Sequence, residues 1–295
     1  MSATMAPLYE SSGQRALLIS QQSNIQRTPA VQSSAIFGPY FSHDVFRVKL
    51  ETAIAIIPAR FQSTRLPGKP LVEIQGKTLI EHVYRRVQAA ESISRILVAT
   101  DDQRIADAVR KFGGDAAMTR FDHQSGTDRL AEAAAHLPSD ALVVNIQGDE
   151  PLIEPDVIDR AVAAARHRDA SIVTVMTRLS DPAAVADPNR VKVVVDRNGF
   201  ALYFSRSPIP HRPHGGPSSG TTFLHIGLYV YRVDFLKQFT RLERAPLEIA
   251  ERLEQLRALE HGFRIRVVEV ESESWGIDTP ADLEKFKAIL GYKGQ

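Results

Sequence analysis

The chain has 295 residues, of which 43% are hydrophobic and 24% charged, with 36 Lys plus Arg against 35 Asp plus Glu. These are ordinary globular values; the near-neutral balance argues against bulk binding to nucleic acid or a membrane surface, and no apolar run of about 18 residues exists to span a membrane. With no cysteine, disulfides, thiolate catalysis and cysteine-ligated zinc are excluded, and a cytoplasmic protein is expected.

Residues 1–50 are rich in serine, hold only Glu10 and Asp44 as acids and show no sustained periodicity. They are expected to be a disordered N-terminal extension ahead of one catalytic domain over residues 51–295. A transit peptide or an over-called translation start would leave the same signature, and the apolar Ala16–Ile19 is too short for a secretory core.

Ala53–Ile57 is a short apolar run of the kind buried on both faces of a parallel sheet. The stretch that follows, IIPARFQSTRLPGKPL over residues 56–71, carries Arg60, Arg65 and Lys69 among three prolines, which predicts a shaped loop rather than a regular helix or central strand. Thr78–Val87 places apolar residues at 79, 80, 83, 84 and 87, one face of a helix. The cationic loop therefore joins a first strand to a first helix, at the carboxyl edge where open α/β sheets bind ligands.

Further along, Arg95–Thr100 and Ala141–Gln147 read as strands, and Arg104–Phe112 and Gly126–Leu137 as helices. This alternation predicts an α/β fold with a mostly parallel sheet and flanking helices. Asn198-Gly199 between two apolar runs predicts an antiparallel hairpin, Val191–Val195 with Phe200–Phe204. HRPHGGPSSGTT (residues 211–222) is expected to be a mobile surface loop, its His211 and His214 lacking the further ligands of a metal site.

No G-x-G-x-x-G fingerprint is present, and Ser63 and Pro70 stand where a P-loop needs Gly and Ser or Thr, so neither a nicotinamide dehydrogenase nor a Walker ATPase is supported. What remains is a loop meeting phosphates with side-chain cations. Phosphoryl chemistry also calls for a metal such as Mg2+, held by one or two carboxylates. Asp149 supplies one after a buried strand, with Gly148 beside it to let a ligand approach. Asp278 is the second candidate, just outside a final helix whose N-cap, N1 and N3 are Thr279, Pro280 and Asp282.

PARFQSTRLPGKPL, HQSGTDR (123–129), NIQGDEP (145–151), PNRVKVVVD (188–196), ALYFSR (201–206), HIGLY (225–229), LEQLR (253–257) and GIDTPADLE (276–284) together resemble the 3-deoxy-manno-octulosonate cytidylyltransferase (CMP-Kdo synthetase) family over about residues 53–290. The resemblance implies a nucleotide-binding sheet with a smaller mixed α/β dimerisation region, a homodimer, and the reaction of CTP with 3-deoxy-manno-octulosonate (Kdo) to give CMP-Kdo and pyrophosphate for lipopolysaccharide-type glycans. It implies that Arg60, Arg65 and Lys69 hold the triphosphate, that Ser125 and Gly126 lie near the cytosine, and that Asp149 and Asp278 hold Mg2+. It further implies that Gln147, Arg206, His225, Tyr229, Glu254 and Gln255 surround the sugar acid, with Arg206 suited to its carboxylate. Taken singly, His225 reads as a core histidine and Glu254 with Gln255 as a solvated helix face. A cytidylyltransferase for a related sugar acid and a non-catalytic CTP-binding module are the competing functions.

Overall fold

A computed structural model of the chain describes residues 52–62, 66–211, 221–272 and 275–291. The expected extension over residues 1–50, Arg65 and His214 lie outside the described residues.

Strand β1 (Ala53–Ala59) leads through the cationic loop, a 3-10 turn (Lys69–Leu71) and a ribbon of β2 (Glu73–Ile74) and β3 (Lys77–Thr78) into α1 (Leu79–Gln88). There follow β4 (Ile93–Thr100), α2 (Gln103–Lys111), β5 (Asp115–Met118), α3 (Gly126–Ala133), β6 (Leu142–Asn145) and α4 (Pro155–Ala165). The second half contains β7 (Ile172–Leu179), α5 (Pro182–Ala186), the hairpin β8 (Lys192–Val195) and β9 (Ala201–Ser205), and the long β10 (Thr222–Arg232). It closes with α6 (Val233–Phe239), α7 (Pro246–Glu251), α8 (Gln255–Glu260), β11 (Ile265–Glu269) and α9 (Pro280–Ile289).

The expected α/β class holds. Nine strands form one sheet in the order β11-β7-β10-β6-β1-β4-β5, with β8 joined to β10 and β9 to β8. Pairings β1–β4, β1–β6, β4–β5 and β7–β11 are parallel. The antiparallel part is larger than the predicted hairpin, because β10 runs antiparallel between β6 and β7 in the middle of the sheet.

Alternating residues of the central strands feed two cores. Ala55, Ile57 and Val144 pack under α1 and α4, while Ile56 and Val143 pack with Leu130, Phe204 and Leu256 on the other face. The apolar positions of α1 are all buried, and Thr78 caps its first turn by accepting from the Glu81 N–H. A smaller core of Ile74, Leu79, Ile277 and Phe286 seats α9 against the start of α1. No helix among the described residues is long and apolar enough to cross a membrane.

One expectation is corrected. Pro58 lies inside β1, a central strand, rather than in an irregular loop. The β6 ladder ends at the Ile56–Asn145 pair, and Pro58, two residues on, faces that same side of β1. Its missing N–H therefore removes no ladder bond.

Candidate active site

The three charged residues singled out from distant parts of the sequence meet at the carboxyl edge of β6. Lys69 Nζ donates to Asp149 Oδ2 at 2.6 Å and to Asp278 Oδ1 at 3.1 Å, and the Lys69 side chain is 14% exposed. Asp149 is held from behind, since its carbonyl accepts from the Ile277 N–H at 2.8 Å, and buried Ile277 anchors the segment that carries Asp278. Thr279 and Asp282 form the expected capping box of α9, and the same Asp282 carboxylate accepts from the Asp278 N–H at 3.2 Å. Two carboxylates that lie 80 and 209 residues beyond Lys69 in sequence thus converge on its ammonium.

Gly148 is required by packing. A Cβ there would lie 2.9 Å from the Pro58 carbonyl oxygen, so two chain segments approach closely at this point. Gly68 is required on two counts: its φ is 68°, and a Cβ would lie 3.2 Å from the Phe61 ring. That ring carries the Arg104 guanidinium 3.4 Å above it, fixing the base of the cationic loop. Arg60 donates through Nη2 to the His123 carbonyl at 3.2 Å. His123 is itself clasped by the Glu132 carboxylate of α3.

Ser125 and Gly126 open α3. The Ser125 hydroxyl accepts from the Asp128 N–H at 3.1 Å and the Asp128 carboxylate accepts from the Ser125 N–H at 3.0 Å, a complete capping box. Gly126 packs against Pro58, where a Cβ would sit at 3.7 Å. The α3 N-terminus is therefore rigidly placed beside the end of β1.

On the other side of β6, Gln147 donates to the Gly227 carbonyl at 3.1 Å. That carbonyl is presented by a break in the β10–β7 register between Ile226 and Tyr229. Thr174, fully buried on β7, stitches the break: its hydroxyl donates to the Leu228 carbonyl at 2.7 Å and lies 2.9 Å from His225 Nε2. Burial pushes His225 down to about 3, so its ring is neutral at physiological pH. It packs edge-on to Phe204 and 5.4 Å from the Tyr229 ring. His225 is thus a satisfied core histidine that shapes the wall, and burial likewise raises the Tyr229 hydroxyl far above its usual range.

Glu254 and Gln255 do not form a solvated face. Burial raises the Glu254 carboxyl above its ordinary value against the opposing pull of the Thr127 hydroxyl, the Arg257 charge and the Ser125 hydroxyl. The Thr127 hydroxyl at the start of α3 donates to the Glu254 carboxylate, so the turn that carries Glu254 meets the α3 N-terminus. Gln255 Nε2 is buried with no partner among the described residues, and so is Oδ1 of Asn145, which stands across the ladder from Tyr229. Arg206 is already engaged: Nε donates to the Glu251 carbonyl at 2.8 Å, Nη1 to Pro188 at 3.0 Å and Nη2 to Arg252 at 3.4 Å. The structure places it as a brace joining the 187–190 turn to the end of α7.

Sequence reasoning passed over Thr127, Thr174, Asn145 and Arg190. Thr127 and Asn145 stood inside segments that had been singled out, and a search for hydroxyls and amides beside the named residues would have found them. Thr174 reads as an ordinary strand residue and gives no signal. Arg190, with Asn189, lines a cleft of about 940 Å³ whose opposite wall is Trp275, Gly276, Asp278 and Lys285.

Comparison with known proteins identifies the family and the fold. The cytidylyltransferase family profile matches residues 54–267. The 3-deoxy-manno-octulosonate cytidylyltransferases of Syntrophotalea carbinolica and Geobacter metallireducens are each 54% identical to the chain, covering 80% and 78% of it and 97% and 94% of their own lengths. A solved CMP:2-keto-3-deoxy-manno-octonic acid synthetase complexed with CTP superposes with a TM-score of 0.77 at 43% identity, over 81% of this chain and 98% of that one. A putative glucose-1-phosphate thymidylyltransferase from Bacillus anthracis, 16% identical with a TM-score of 0.59 over 82% of this chain and 97% of its own, shares the fold. The chain belongs to the 3-deoxy-manno-octulosonate cytidylyltransferase family.

Proposed function

We propose that the protein activates Kdo with CTP, forming CMP-Kdo and releasing pyrophosphate. The observation that carries this reading is the convergence of Lys69, Asp149 and Asp278 at the carboxyl edge of the sheet, in a chain whose curated relatives bear that activity in their names. The anomeric hydroxyl of the sugar acid attacks the α-phosphorus in line, and the oxygen bridging to the β-phosphorus leaves with the pyrophosphate. No covalent intermediate on the protein is needed.

Mg2+ fits the carboxylate pair. Both ligands are hard oxygens and they meet at one point. No group of three or more metal-binding side chains occurs among the described residues, so phosphate oxygens and water would complete the shell, as Mg2+ prefers. When bound, it would neutralise the α-phosphate and lower the pKa of the attacking hydroxyl. Lys69, Arg60 and Arg65 hold the triphosphate and stabilise charge on the departing pyrophosphate. The rigid α3 N-terminus, with Ser125 and Gly126, frames the base. Gln147, Glu254 and Gln255 offer the acceptor mixed donors and acceptors, while His225, Tyr229 and Arg206 form and brace the wall.

A cytoplasmic homodimer is part of this reading. Leu202 on β9 and Leu247 and Ile249 on α7 are exposed apolar residues on elements that Ser205 and Glu251 tie together, a surface suited to a second copy. Mass analysis of the products from protein, CTP, Mg2+ and Kdo tests the assignment. Formation of CMP-Kdo is expected. Turnover of a different sugar acid alone moves the specificity, and absence of any CMP-sugar overturns the activity.

A further inference from the structure

We propose that Lys69 is the resident counter-ion of the Asp149–Asp278 pair, so that a divalent cation gains both carboxylates only when the nucleotide draws the ammonium onto its phosphates. This rests on the transferase reading above and adds an order of events to it.

The geometry is direct. The ammonium lies 2.6 Å from one carboxylate and 3.1 Å from the other, and its side chain is largely buried. A metal ion that ligates Asp149 and Asp278 together needs the oxygens Lys69 now holds. An ammonium and a divalent cation at the same oxygens repel strongly, and in a partly desolvated site that repulsion is weakly screened. One of them must move. Asp149 is fixed by the Ile277 N–H and Asp278 by the α9 capping box. Lys69, by contrast, follows Gly68 in the cationic loop and carries its charge on a stem of four carbons.

A triphosphate provides a second place for that charge. Its oxygens attract the ammonium as it leaves the carboxylates, and they supply the ligands that two carboxylates alone cannot. Nucleotide and metal thereby help each other to bind, and the coupling is reciprocal. A cation without nucleotide meets a carboxylate pair whose charge is already half neutralised by Lys69, which disfavours idle metal loading.

Mn2+ binding to the nucleotide-free protein, followed by electron paramagnetic resonance, tests this without turnover. Lys69→Gln and Lys69→Met are expected to bind Mn2+ about tenfold or more tightly than wild type, the size of a typical coupling between sites. Adding Asp149→Asn to either variant should abolish the gain. In wild type with 15N-labelled lysine, the Lys69 ammonium resonance should change little with Mg2+ alone and shift when CTP is added with Mg2+. Unchanged Mn2+ affinity in folded Lys69 variants overturns the proposal. Should the variants fail to fold, a Lys69 resonance that stays fixed when CTP and Mg2+ are both saturating overturns it equally. Failure of the wild type to form CMP-Kdo would strike only the transferase reading, because the metal measurement requires neither nucleotide nor acceptor.

Discussion

Arg206 and Glu251 hold each other through both main chain and side chain: the Arg206 N–H donates to the Glu251 carboxylate at 2.9 Å, and its guanidinium Nε donates to the Glu251 carbonyl at 2.8 Å. The same carboxylate accepts from the Ser205 hydroxyl at 2.6 Å. Burial alone would raise Glu251, but these hydrogen bonds outweigh it and hold the carboxyl below its ordinary value of 4.5. A carboxyl depressed in the folded state contributes stability above its unfolded pKa, and that contribution is lost as pH falls through the lower folded value. Glu251→Gln is expected to lower the melting temperature at pH 7 and to narrow the gap to wild type below about pH 4. Glu251→Ala should cost about 1–3 kcal/mol of stability, the worth of hydrogen bonds to a charged group. A melting temperature insensitive to both changes would remove Arg206 and Glu251 as the brace of this wall.

Glu254 predicts the opposite pH dependence. Its carboxyl is raised above 4.5 by burial, so the folded state gains from its protonation at low pH and loses that gain as pH rises through the folded value. The neutral isostere Glu254→Gln should therefore melt above wild type at pH 8, with a margin that shrinks toward pH 4. The same change should reduce kcat/KM for the sugar acid roughly ten- to a hundredfold while leaving KM for CTP nearly unchanged, because one charged hydrogen bond to the acceptor is weakened. Equal losses for both substrates would place Glu254 outside the acceptor subsite.

The reach of sequence reasoning can be judged from particular residues. The cap of α9 at Thr279, the buried face of α1 and the Asn198-Gly199 turn were all readable, because each is set by neighbours within four residues. The direction of β10 was not: a strand apolar on both faces looks the same in parallel and antiparallel settings. Nor was the engagement of Arg206, whose carbonyl partners lie 18, 45 and 46 residues away. The Asp149–Asp278 pair was inferred from motifs, yet the presence of Lys69 between them depends on a separation of 209 residues in sequence that only the fold closes.

Gly148 offers a test of how the chain positions Asp149. A methyl at this position would meet the Pro58 carbonyl at 2.9 Å and the Ile57 and Ile80 side chains at 3.5 and 3.6 Å. Backbone cannot yield as a side-chain tip can, so β1 and the segment after β6 must part. Gly148→Ala is expected to cost about 1–3 kcal/mol of stability and to lower kcat more than tenfold by displacing Asp149. If stability falls but the kcat of the folded fraction does not, the segment adjusts without moving the carboxylate.

Asp149→Asn and Asp278→Asn separate a metal-dependent transferase from a protein that only binds its ligands. Each keeps the side-chain shape and removes one of the two charges that meet at Lys69. If both carboxylates hold Mg2+, each variant should lose several kcal/mol of transition-state stabilisation, a fall in turnover of orders of magnitude, while remaining folded. The structural alternative for Asp278 is a charge near the N-terminus of α9, worth only about 0.3–1 kcal/mol of stability. The two accounts move different measurements. A modest drop in the melting temperature of Asp278→Asn with normal turnover would reduce Asp278 to a helix-end residue and leave Asp149 to act alone. Full activity of Asp149→Asn, or of wild type in excess chelator, would remove the metal from the mechanism altogether.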